Sequence, residues 1–324
     1  MRKKGGGFGC LPFSFFATGI TRRMNRIGID VGGTTAKAAL VNSEGRVLAR
    51  HHFPTGYHLT GESLLAGCVE AVDRLTRDSA AASLGIAAPG FRRADGEGVE
   101  NVSNLPGLDD FPIRTRCREA LGLPVVVDND ANAAAYGEWA FGARAECRRL
   151  LVMTLGTGIG GAMVVDGALL RISGGCLGDP GHLILDPDGP RCACGGRGCA
   201  ETLAAVPAIV RAAAAAMPER AIHTLADVTA AAGDGDPKAT EVLASAGRRL
   251  GTLLTSLIHV LTPDRILLGG GGMDAAGHYL IPAAKQAIAD CVQPFLAAGL
   301  TIDRAALGND AGAVGAAALS STNS

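Results

Sequence analysis

A repeated pattern of strand, glycine turn and strand constrains the fold of this chain more than any other feature. The first copy, IGIDVGGTTAKAALV, spans residues 27–41, and the second, LLVMTLGTGIGGAMVV, spans residues 150–165. Each copy has apolar runs of strand length on both sides of a glycine-rich turn, which predicts a β-hairpin. An internal repeat of this kind predicts two lobes of similar build that face each other.

The segments around the hairpins carry both strand and helix patterns, which predicts the α/β class. Further buried strands are predicted within SEGRVLARHHF (43–53), SLGIAAPG (83–90), LPVVVDND (123–130) and DRILLGGGG (264–272). Helices are predicted at 62–81, 130–143, 203–217, 224–232, 235–261, 273–292 and 309–320. We therefore expect two α/β lobes with a cleft between them.

The composition is that of a globular protein without a strongly charged surface. Apolar residues make up 48% of the 324 residues, and the net charge of −1 gives no indication of a nucleic-acid or membrane partner. No apolar stretch reaches the length of about 20 residues that a membrane-spanning helix needs. Six of the nine cysteines are scattered without pattern (Cys10, Cys68, Cys117, Cys147, Cys176 and Cys291), which favours reduced thiols and a cytoplasmic protein.

The first 25 residues stand apart from this pattern. MRKKGGGFGCLPFSFFATGITRR has Lys and Arg before an apolar run, as a signal peptide does, but Gly and Pro interrupt the run. We expect residues 1–25 to be a disordered extension or one that is not translated, with Met24 as an alternative start.

The glycine turns have the composition of a phosphate-binding site. Gly156-x-Gly158-x-x-Gly161 matches the dinucleotide fingerprint by letter, but a strand pattern follows where that fingerprint needs a helix. Hairpin tips can instead offer backbone N–H groups and threonine hydroxyls to phosphate oxygens. One such turn alone would indicate only a tight turn, whereas two of them and a third glycine turn at 269–272 predict a nucleotide site.

The residues predicted to hold the nucleotide lie at these turns. Asp30, at the end of the first strand, suits a hydrated Mg²⁺. Lys37 is either a phosphate contact or a solvated residue of the second strand. The predicted set is Asp30, Gly32, Gly33, Thr34, Thr35, Lys37, Gly156, Thr157, Gly158, Gly270 and Gly271.

The run VVVDNDANAAA places Asp128, Asn129, Asp130 and Asn132 where a strand leads into a helix. Helix capping accounts for one such polar residue but not for four together. An Asp at this position can accept a proton from a substrate hydroxyl, and Asn129 can hydrogen-bond neighbouring hydroxyls. Asn104, in the polar loop NVSNLPG, either binds substrate or forms an Asx-turn.

The stretch RCACGGRGCAE, with His182 ten residues before its first cysteine, has the composition of a metal site. One imidazole and the thiolates of Cys192, Cys194 and Cys199 form the Cys₃His set of structural zinc. A redox Cys-x-Cys pair would explain neither His182 nor Cys199. Asp179 and Glu201 bracket the cluster and are either ligands for sugar hydroxyls or solvated surface charges.

Together these motifs resemble the ROK family of bacterial sugar kinases and their repressor relatives, in the actin-like ATPase superfamily. DVGGTTAK resembles its first phosphate loop, DNDANAAA its catalytic segment and LGTGIGG its second phosphate loop. GHLILDPDGPRCACGGRGCAE resembles its zinc-and-sugar signature. The resemblance covers the chain from about residue 26 and implies a two-lobed actin-like ATPase (ribonuclease H-like) fold.

The resemblance also implies an activity and residue roles. Asp130 would be the base that removes the proton from a sugar 6-hydroxyl, with ATP, Mg²⁺ and structural Zn²⁺ as cofactors. Asn104, Asn129, His182 and Glu201 would contact the sugar, and His182, Cys192, Cys194 and Cys199 would hold zinc. Glucose is the expected sugar; N-acetylglucosamine or N-acetylmannosamine kinases and a non-catalytic sugar-sensing regulator are the alternatives. Families like this usually form homodimers.

One position departs from the family pattern, which usually has Glu three residues before the zinc histidine. Here that position is Asp179, whose shorter side chain ends about 1.5 Å further back. Direct or water-mediated contact with a sugar hydroxyl stays open, so the departure concerns the choice of sugar. The expected lobes are residues 26–140 with 308–324, and residues 141–307. The repressor branch carries an N-terminal helix-turn-helix, for which the first 26 residues are too short and Gly-rich.

Overall fold

The structure, a computed structural model, describes residues 24–142 and 147–321, so the prediction for the N-terminal extension lies outside it. The strands are β1 (Asn25–Val31), β2 (Thr35–Val41), β3 (Val47–Pro54), β4 (Ala81–Ala88), β5 (Phe91–Arg92), β6 (Val99–Glu100), β7 (Val125–Asn129), β8 (Arg149–Leu155), β9 (Ile159–Val165), β10 (Ala168–Leu169), β11 (Arg265–Gly269) and β12 (Thr301–Arg304). The helices are α1 (Gly61–Leu75), α2 (Ile113–Leu121), α3 (Asp130–Gly137), α4 (Ala200–Ala204), α5 (Val206–Ala216), α6 (Leu225–Gly233), α7 (Pro237–Leu261), α8 (Gly271–Cys291), α9 (Pro294–Ala297) and α10 (Ala311–Leu319).

Two five-stranded sheets repeat one arrangement. Their strand orders are β3-β2-β1-β4-β7 and β10-β9-β8-β11-β12. In each sheet the first two pairings are antiparallel and the last two are parallel. The predicted hairpins are β1–β2 and β8–β9, and they occupy equivalent places in the two sheets. The internal repeat expected from the sequence is therefore confirmed.

The two faces of the first sheet are covered by different kinds of helix. Ile27 and Ile29 alternate along β1, are fully buried, and pack in one core with Leu64 of α1. On the opposite face, a Cβ at Gly28 would lie 1.8 Å from the backbone oxygen of Ala313 in α10. The absence of a side chain at Gly28 thus lets the alanine-rich α10 pack directly on the sheet.

Helix α3 lies between α10 and the second sheet. Ala133 contacts α10 so closely that a Cβ at Gly315 would lie 1.7 Å from its backbone oxygen. Ala131 and Ala135, on another side of α3, share a buried cluster with Val152 of β8. Small side chains therefore hold the first turn of α3, and Asp130 with it, between the two halves of the molecule.

The outer face of the second sheet carries the largest core, which α4 to α8 build with β8, β9 and β11. Its longest helix, α7, begins after Asp236, whose carboxylate accepts hydrogen bonds from the backbone N–H of Lys238 and Ala239. Pro237 takes the first helical position, where it has no N–H to leave unpaired. Leu243, Leu250 and Leu254 follow at helical spacing and are buried.

The described cysteines are free thiols, including the buried Cys68 and Cys117. Within residues 24–142 and 147–321 there is no helix with the length and apolar character needed to cross a membrane.

Candidate active site

A cavity of about 470 Å³ opens between the two halves of the molecule. Its walls come from both sheets and from the loops that follow their strands. The lining comprises residues 89–91, Asn101, Ser103, Asn104, 129–131, 154–161, Cys176, 178–180, Glu201, Gly270 and Gly271. The expected cleft is therefore present, and polar groups from distant parts of the sequence converge in it.

Ten of the seventeen residues predicted to contact the sugar or the nucleotide lie in this lining. They are Asn104, Asn129, Asp130, Asp179 and Glu201 on the predicted sugar side, and Gly156, Thr157, Gly158, Gly270 and Gly271 on the predicted nucleotide side. The first hairpin tip lies beside the lining, because a Cβ at Gly33 would be 3.5 Å from Asn104 Nδ2. His182 and the predicted residues of the first hairpin (Asp30, Gly32, Gly33, Thr34, Thr35 and Lys37) lie outside it.

Lys37 has a partner in the structure. Its Nζ donates a hydrogen bond to Asn309 Oδ1, just before α10. It also faces Asp30, the residue opposite it in the β1–β2 register. Burial raises the pKa of the Asp30 carboxyl, and the positive charge of Lys37 partly offsets that effect. The hydrogen bond to Asn309 is exposed, so both interpretations of Lys37 stay predictions.

Asp130 is the first residue of α3, and Asn129 holds its carboxylate in place. Asn129 Nδ2 donates to Asp130 Oδ1 at 3.0 Å and to the backbone oxygen of Gly90 at 2.8 Å. The Asn129 side-chain oxygen accepts from the backbone N–H of Asn132 at 3.1 Å and so caps the helix. Asp130 Oδ1 also accepts from the backbone N–H of Ala131. Asn129 is therefore the one polar residue of the run that caps α3.

The environment of Asp130 raises the pKa of its carboxyl group towards neutral pH. Burial raises the pKa of Asp130 to about 6, and the negative charge of Asp30 adds to the rise. The hydrogen bonds from Ala131 and Asn129 act in the opposite direction, because they stabilise the carboxylate form. A general base is most effective when its pKa lies near the working pH, and Asp130 meets that condition.

Asp128 and Asn132 do not line the cavity, although they belong to the same polar run. The buried Asp128 forms an ion pair with the exposed residue Arg171, and Asn132 Nδ2 donates to Asp128 Oδ1 at 2.8 Å. The four polar residues therefore divide into two that face the cavity and two that pair behind it. Arg171 was not identified from the sequence, since no local motif marks a single arginine 43 residues away.

The expected Cys₃His set comes together in space. The ligand atoms of His182, Cys192, Cys194 and Cys199 all lie within 4.8 Å of one another. Cys192 Sγ is 3.5 Å from His182 Nδ1, and Cys194 Sγ is 3.6 Å from Cys199 Sγ. Tetrahedral zinc, with bonds of about 2.3 Å to sulfur and 2.0 Å to nitrogen, needs edges of about 3.5–3.8 Å. The four side chains fit that ion.

The Cys₃His cluster is connected to the cavity wall on two sides. His182 directs Nδ1 to Cys192, and its Nε2 lies 3.4 Å from Asp179 Oδ2. Glu201, two residues after Cys199, accepts a hydrogen bond from the backbone N–H of Ile159 at 3.2 Å. A Cβ at Gly158 would lie 2.3 Å from Glu201 Oε2, so this contact requires glycine at the tip of the second hairpin.

The cavity wall formed by the start of α8 and the second hairpin has the features of an anion site. Gly270 and Gly271 lie at the N-terminus of α8, whose first backbone N–H groups have no partner within the helix. Such a terminus attracts phosphate through its N–H groups and its dipole. The tip of the second hairpin, Gly156 to Gly158, lines the same cavity. A strand, β9, follows this tip, which excludes the dinucleotide fingerprint for Gly156-x-Gly158-x-x-Gly161.

These features together define a ROK family protein, and the chain belongs to that family, whose model matches residues 26–323. A glucokinase of Halalkalibacterium halodurans is 35% identical over 307 residues, which cover 89% of this chain and 92% of that protein. An N-acetylmannosamine kinase of Escherichia fergusonii is 34% identical over 260 residues, which cover 79% of this chain and 86% of that protein.

Similarity to solved structures extends to the whole fold. The crystal structure of a ROK family glucokinase from Streptomyces griseus in complex with glucose and AMPPNP matches with a TM-score of 0.80 and 31% identity. The match covers 91% of this chain and 98% of that one. The family and the two-lobed actin-like ATPase fold expected from the motifs are therefore confirmed.

Proposed function

We propose that this chain transfers the γ-phosphoryl group of ATP to the 6-hydroxyl of a hexose, and that the hexose is glucose. The observation that carries the proposal is the place of Asp130. It lines the same cavity as a glycine hairpin and the N-terminus of α8. A carboxylate with a pKa raised to about 6 and N–H groups suited to phosphate therefore share one cavity.

In this proposal Asp130 accepts the proton of the attacking hydroxyl. Asn129 fixes the carboxylate through the 3.0 Å hydrogen bond to Oδ1, so the base is oriented before the sugar arrives. Phosphoryl transfer depends mainly on positioning and on stabilisation of charge, and the residues around Asp130 supply the positioning. Asn104, Asn129, Asp179 and Glu201 are the proposed sugar contacts. His182, expected to contact the sugar, lies outside the cavity lining and is proposed to act on the sugar through Asp179.

The nucleotide is proposed to lie between the two hairpins. Thr157 with Gly156 and Gly158 would hold phosphate oxygens from one side, together with Gly270 and Gly271. The first hairpin, with Gly32, Gly33, Thr34, Thr35 and Lys37, would approach from the other side. Bound Mg²⁺ would neutralise charge on the transferred phosphoryl group, and Asp30, buried at the end of β1, is the carboxylate proposed to face it.

The Cys₃His cluster is proposed to hold structural zinc. The loop from 179 to 199 is rich in Gly and Pro and contributes few buried apolar side chains, so it has little core of its own. Zinc would cross-link this loop. The contact of His182 with Asp179 and the hydrogen bond from Ile159 to Glu201 would then help to fix these two carboxylates.

The boundaries of the lobes, the oligomeric state and the cellular location are also proposed. The lobes are proposed as residues 26–140 with 308–324, and 141–307; the packing of α10 on Gly28 supports assigning the C-terminal segment to the first lobe. A homodimer in the cytoplasm is the proposed form. Light scattering on the purified protein tests the dimer directly, since a mass near one chain would contradict it.

The test of the function is an ADP-release assay with MgATP and glucose, mannose, fructose, allose, N-acetylglucosamine or N-acetylmannosamine. Glucose is expected to give the highest kcat/KM, and Asp130→Asn serves as the inactive control. A clear preference for an N-acetylhexosamine would replace glucose as the substrate. ATP and sugar binding without ADP release from any sugar would favour the non-catalytic regulator.

A further inference from the structure

Arg171 joins the two halves of the molecule directly behind the cavity. It follows β10 of the second sheet, and its guanidinium reaches Asp128 at the end of β7 in the first sheet. Arg171 Nη1 donates to Asp128 Oδ1 at 3.2 Å, and Nη2 donates to Oδ2. Asp128 is only 2% exposed. A two-pronged contact of this kind fixes orientation as well as distance.

Asp128 also contacts Asn129, the residue before Asp130, and Asn132, two residues after it. The backbone N–H of Asn129 donates to Asp128 Oδ1 at 2.8 Å, and Asn132 Nδ2 donates to the same oxygen at 2.8 Å. Asn132 is fully buried in α3. Asp128 therefore holds the backbone before Asp130 and the helix after it.

The same contacts hold a segment of the second half. The backbone oxygen of Gly175 accepts hydrogen bonds from Arg171 Nη1 at 2.8 Å and from Asn132 Nδ2 at 3.0 Å. After Gly175, Cys176 and residues 178–180 enter the cavity wall, and they include Asp179. This segment is thus anchored at one end by the Arg171–Asp128 pair and at the other by the Cys₃His cluster.

Stability alone does not explain this pair. Asp128 is buried and loses solvation, whereas Arg171 is exposed, and an ion pair with an exposed partner contributes little to stability. What the pair supplies is a fixed geometry between two segments that carry the opposing carboxylates Asp130 and Asp179. A displacement of about 1 Å between such groups can lower a rate by about a hundredfold.

We infer that Asp128 and Arg171 are positioning residues whose ion pair sets the place of segment 175–180, and so of Asp179, relative to Asp130. The inference rests on the proposed function, because it assigns to the pair the geometry of the acceptor-sugar site. Neither residue touches the cavity, so neither is a catalytic residue.

The kinetic test compares Arg171→Gln with Arg171→Lys and with Arg148→Gln. Arg171→Gln is expected to raise the sugar KM about tenfold or more and to leave the ATP KM within about twofold, because segment 175–180 lies on the sugar side. Arg171→Lys keeps the charge without the two-pronged contact and is expected to restore part of the affinity. Arg148→Gln removes an exposed ion pair with Asp166 on the same half and is the matched control.

Hydrogen exchange supplies a readout that does not depend on turnover. The Ile172 N–H bonds to the Cys176 oxygen at 2.8 Å, so peptides covering 171–180 should exchange faster in Arg171→Gln than in the wild type or Arg148→Gln. If the wild type phosphorylates no sugar, the proposed function fails and this exchange experiment still decides the inference.

The following results would overturn the inference. Unchanged sugar KM, or unchanged exchange at 171–180 in an Arg171→Gln protein that folds, would overturn the inference. If Arg171→Gln does not fold, Asp128→Asn/Arg171→Gln removes both charges together and is measured in its place. A normal sugar KM and normal exchange in that double variant would likewise overturn it.

Discussion

Glu201 Oε2 accepts a hydrogen bond from the backbone N–H of Ile159 at 3.2 Å, directly after the tip of the second glycine hairpin. Glu201 lies in α4, two residues after the cluster ligand Cys199. One carboxylate therefore contacts the hairpin proposed to bind phosphate and also lines the cavity. The proposed nucleotide and sugar sites are connected through this side chain.

This connection predicts different results for two substitutions of Glu201. Glu201→Ala removes the acceptor for Ile159 and is expected to raise the KM of both ATP and the sugar. Glu201→Gln keeps an oxygen that can accept from Ile159, so it should raise chiefly the sugar KM. Steady-state kinetics with each substrate varied in turn measures the difference. Equal effects of the two variants on the ATP KM would contradict the role of this hydrogen bond.

Asp130→Asn should separate catalysis from binding. Without a base, kcat is expected to fall by about 10²–10⁴-fold, while the sugar Kd from calorimetry stays within a few-fold. The variant should also be more stable at pH 7, because the raised pKa shows that burial disfavours the charged form. The rise in the free energy of unfolding has an upper limit of about 3 kcal/mol. Substantial turnover in this variant would rule out Asp130 as the base.

The pKa of Asp130 also predicts a pH dependence. The carboxylate is the active form, so kcat/KM should fall about tenfold per pH unit below its pKa of about 6 and level off above it. Asp30 contributes to the raised pKa through its negative charge, so Asp30→Asn should move the midpoint of the fall to lower pH. Profiles of kcat/KM from pH 5 to 8 test both statements. An unmoved midpoint in Asp30→Asn would show that burial alone sets the pKa.

The cysteine cluster predicts that metal, fold and sugar affinity are lost together. Cys194→Ser should reduce the zinc content from about one ion per chain to near zero, lower Tm and raise the sugar KM. Cys291→Ser alters another exposed thiol, remote from the cluster in sequence, and should change none of these. Elemental analysis and a thermal melt on the same samples decide the matter. Full zinc occupancy in Cys194→Ser would contradict the assignment of Cys194 as a zinc ligand.

Asp179 predicts a change in the choice of sugar. Its carboxylate lines the cavity and lies 3.4 Å from His182 Nε2. Asp179→Glu moves the carboxylate about 1.5 Å further, so the ratio of kcat/KM between glucose and the N-acetylhexosamines should change. The six-sugar panel measures that ratio in both proteins. Identical ratios would mean that this side chain does not select the sugar.

The parts of the site that were predictable from sequence are those specified by adjacent residues. Both glycine hairpins are encoded by apolar runs around a turn, and Cys192, Cys194 and Cys199 lie within eight residues of one another. The spacing of such residues fixes their approximate geometry before any tertiary contact forms. The order of the family motifs along the chain then predicted the two-lobed fold.

The parts that were missed depend on contacts between distant segments. Arg171 and Asp128 are 43 residues apart, and Lys37 and Asn309 are 272 residues apart. Neither pair has a local pattern, because what joins the partners is the packing of the strands, loops and helices that carry them. A cap among the four polar residues of the run was expected, but Asn and Asp are nearly equivalent as caps, so sequence alone could not choose between positions 129 and 130.

The contact between Gly28 and Ala313 also bears on how the protein is made. Strands β1, β4 and β7 leave the ribosome before the second sheet, but the helix that covers one face of their sheet is residues 311–319. That face stays open while the whole second sheet is synthesised, which exposes apolar surface to other nascent chains. Folding of the first half is therefore completed only after α10 has been synthesised, and chaperones that shield such surfaces should matter most during that interval.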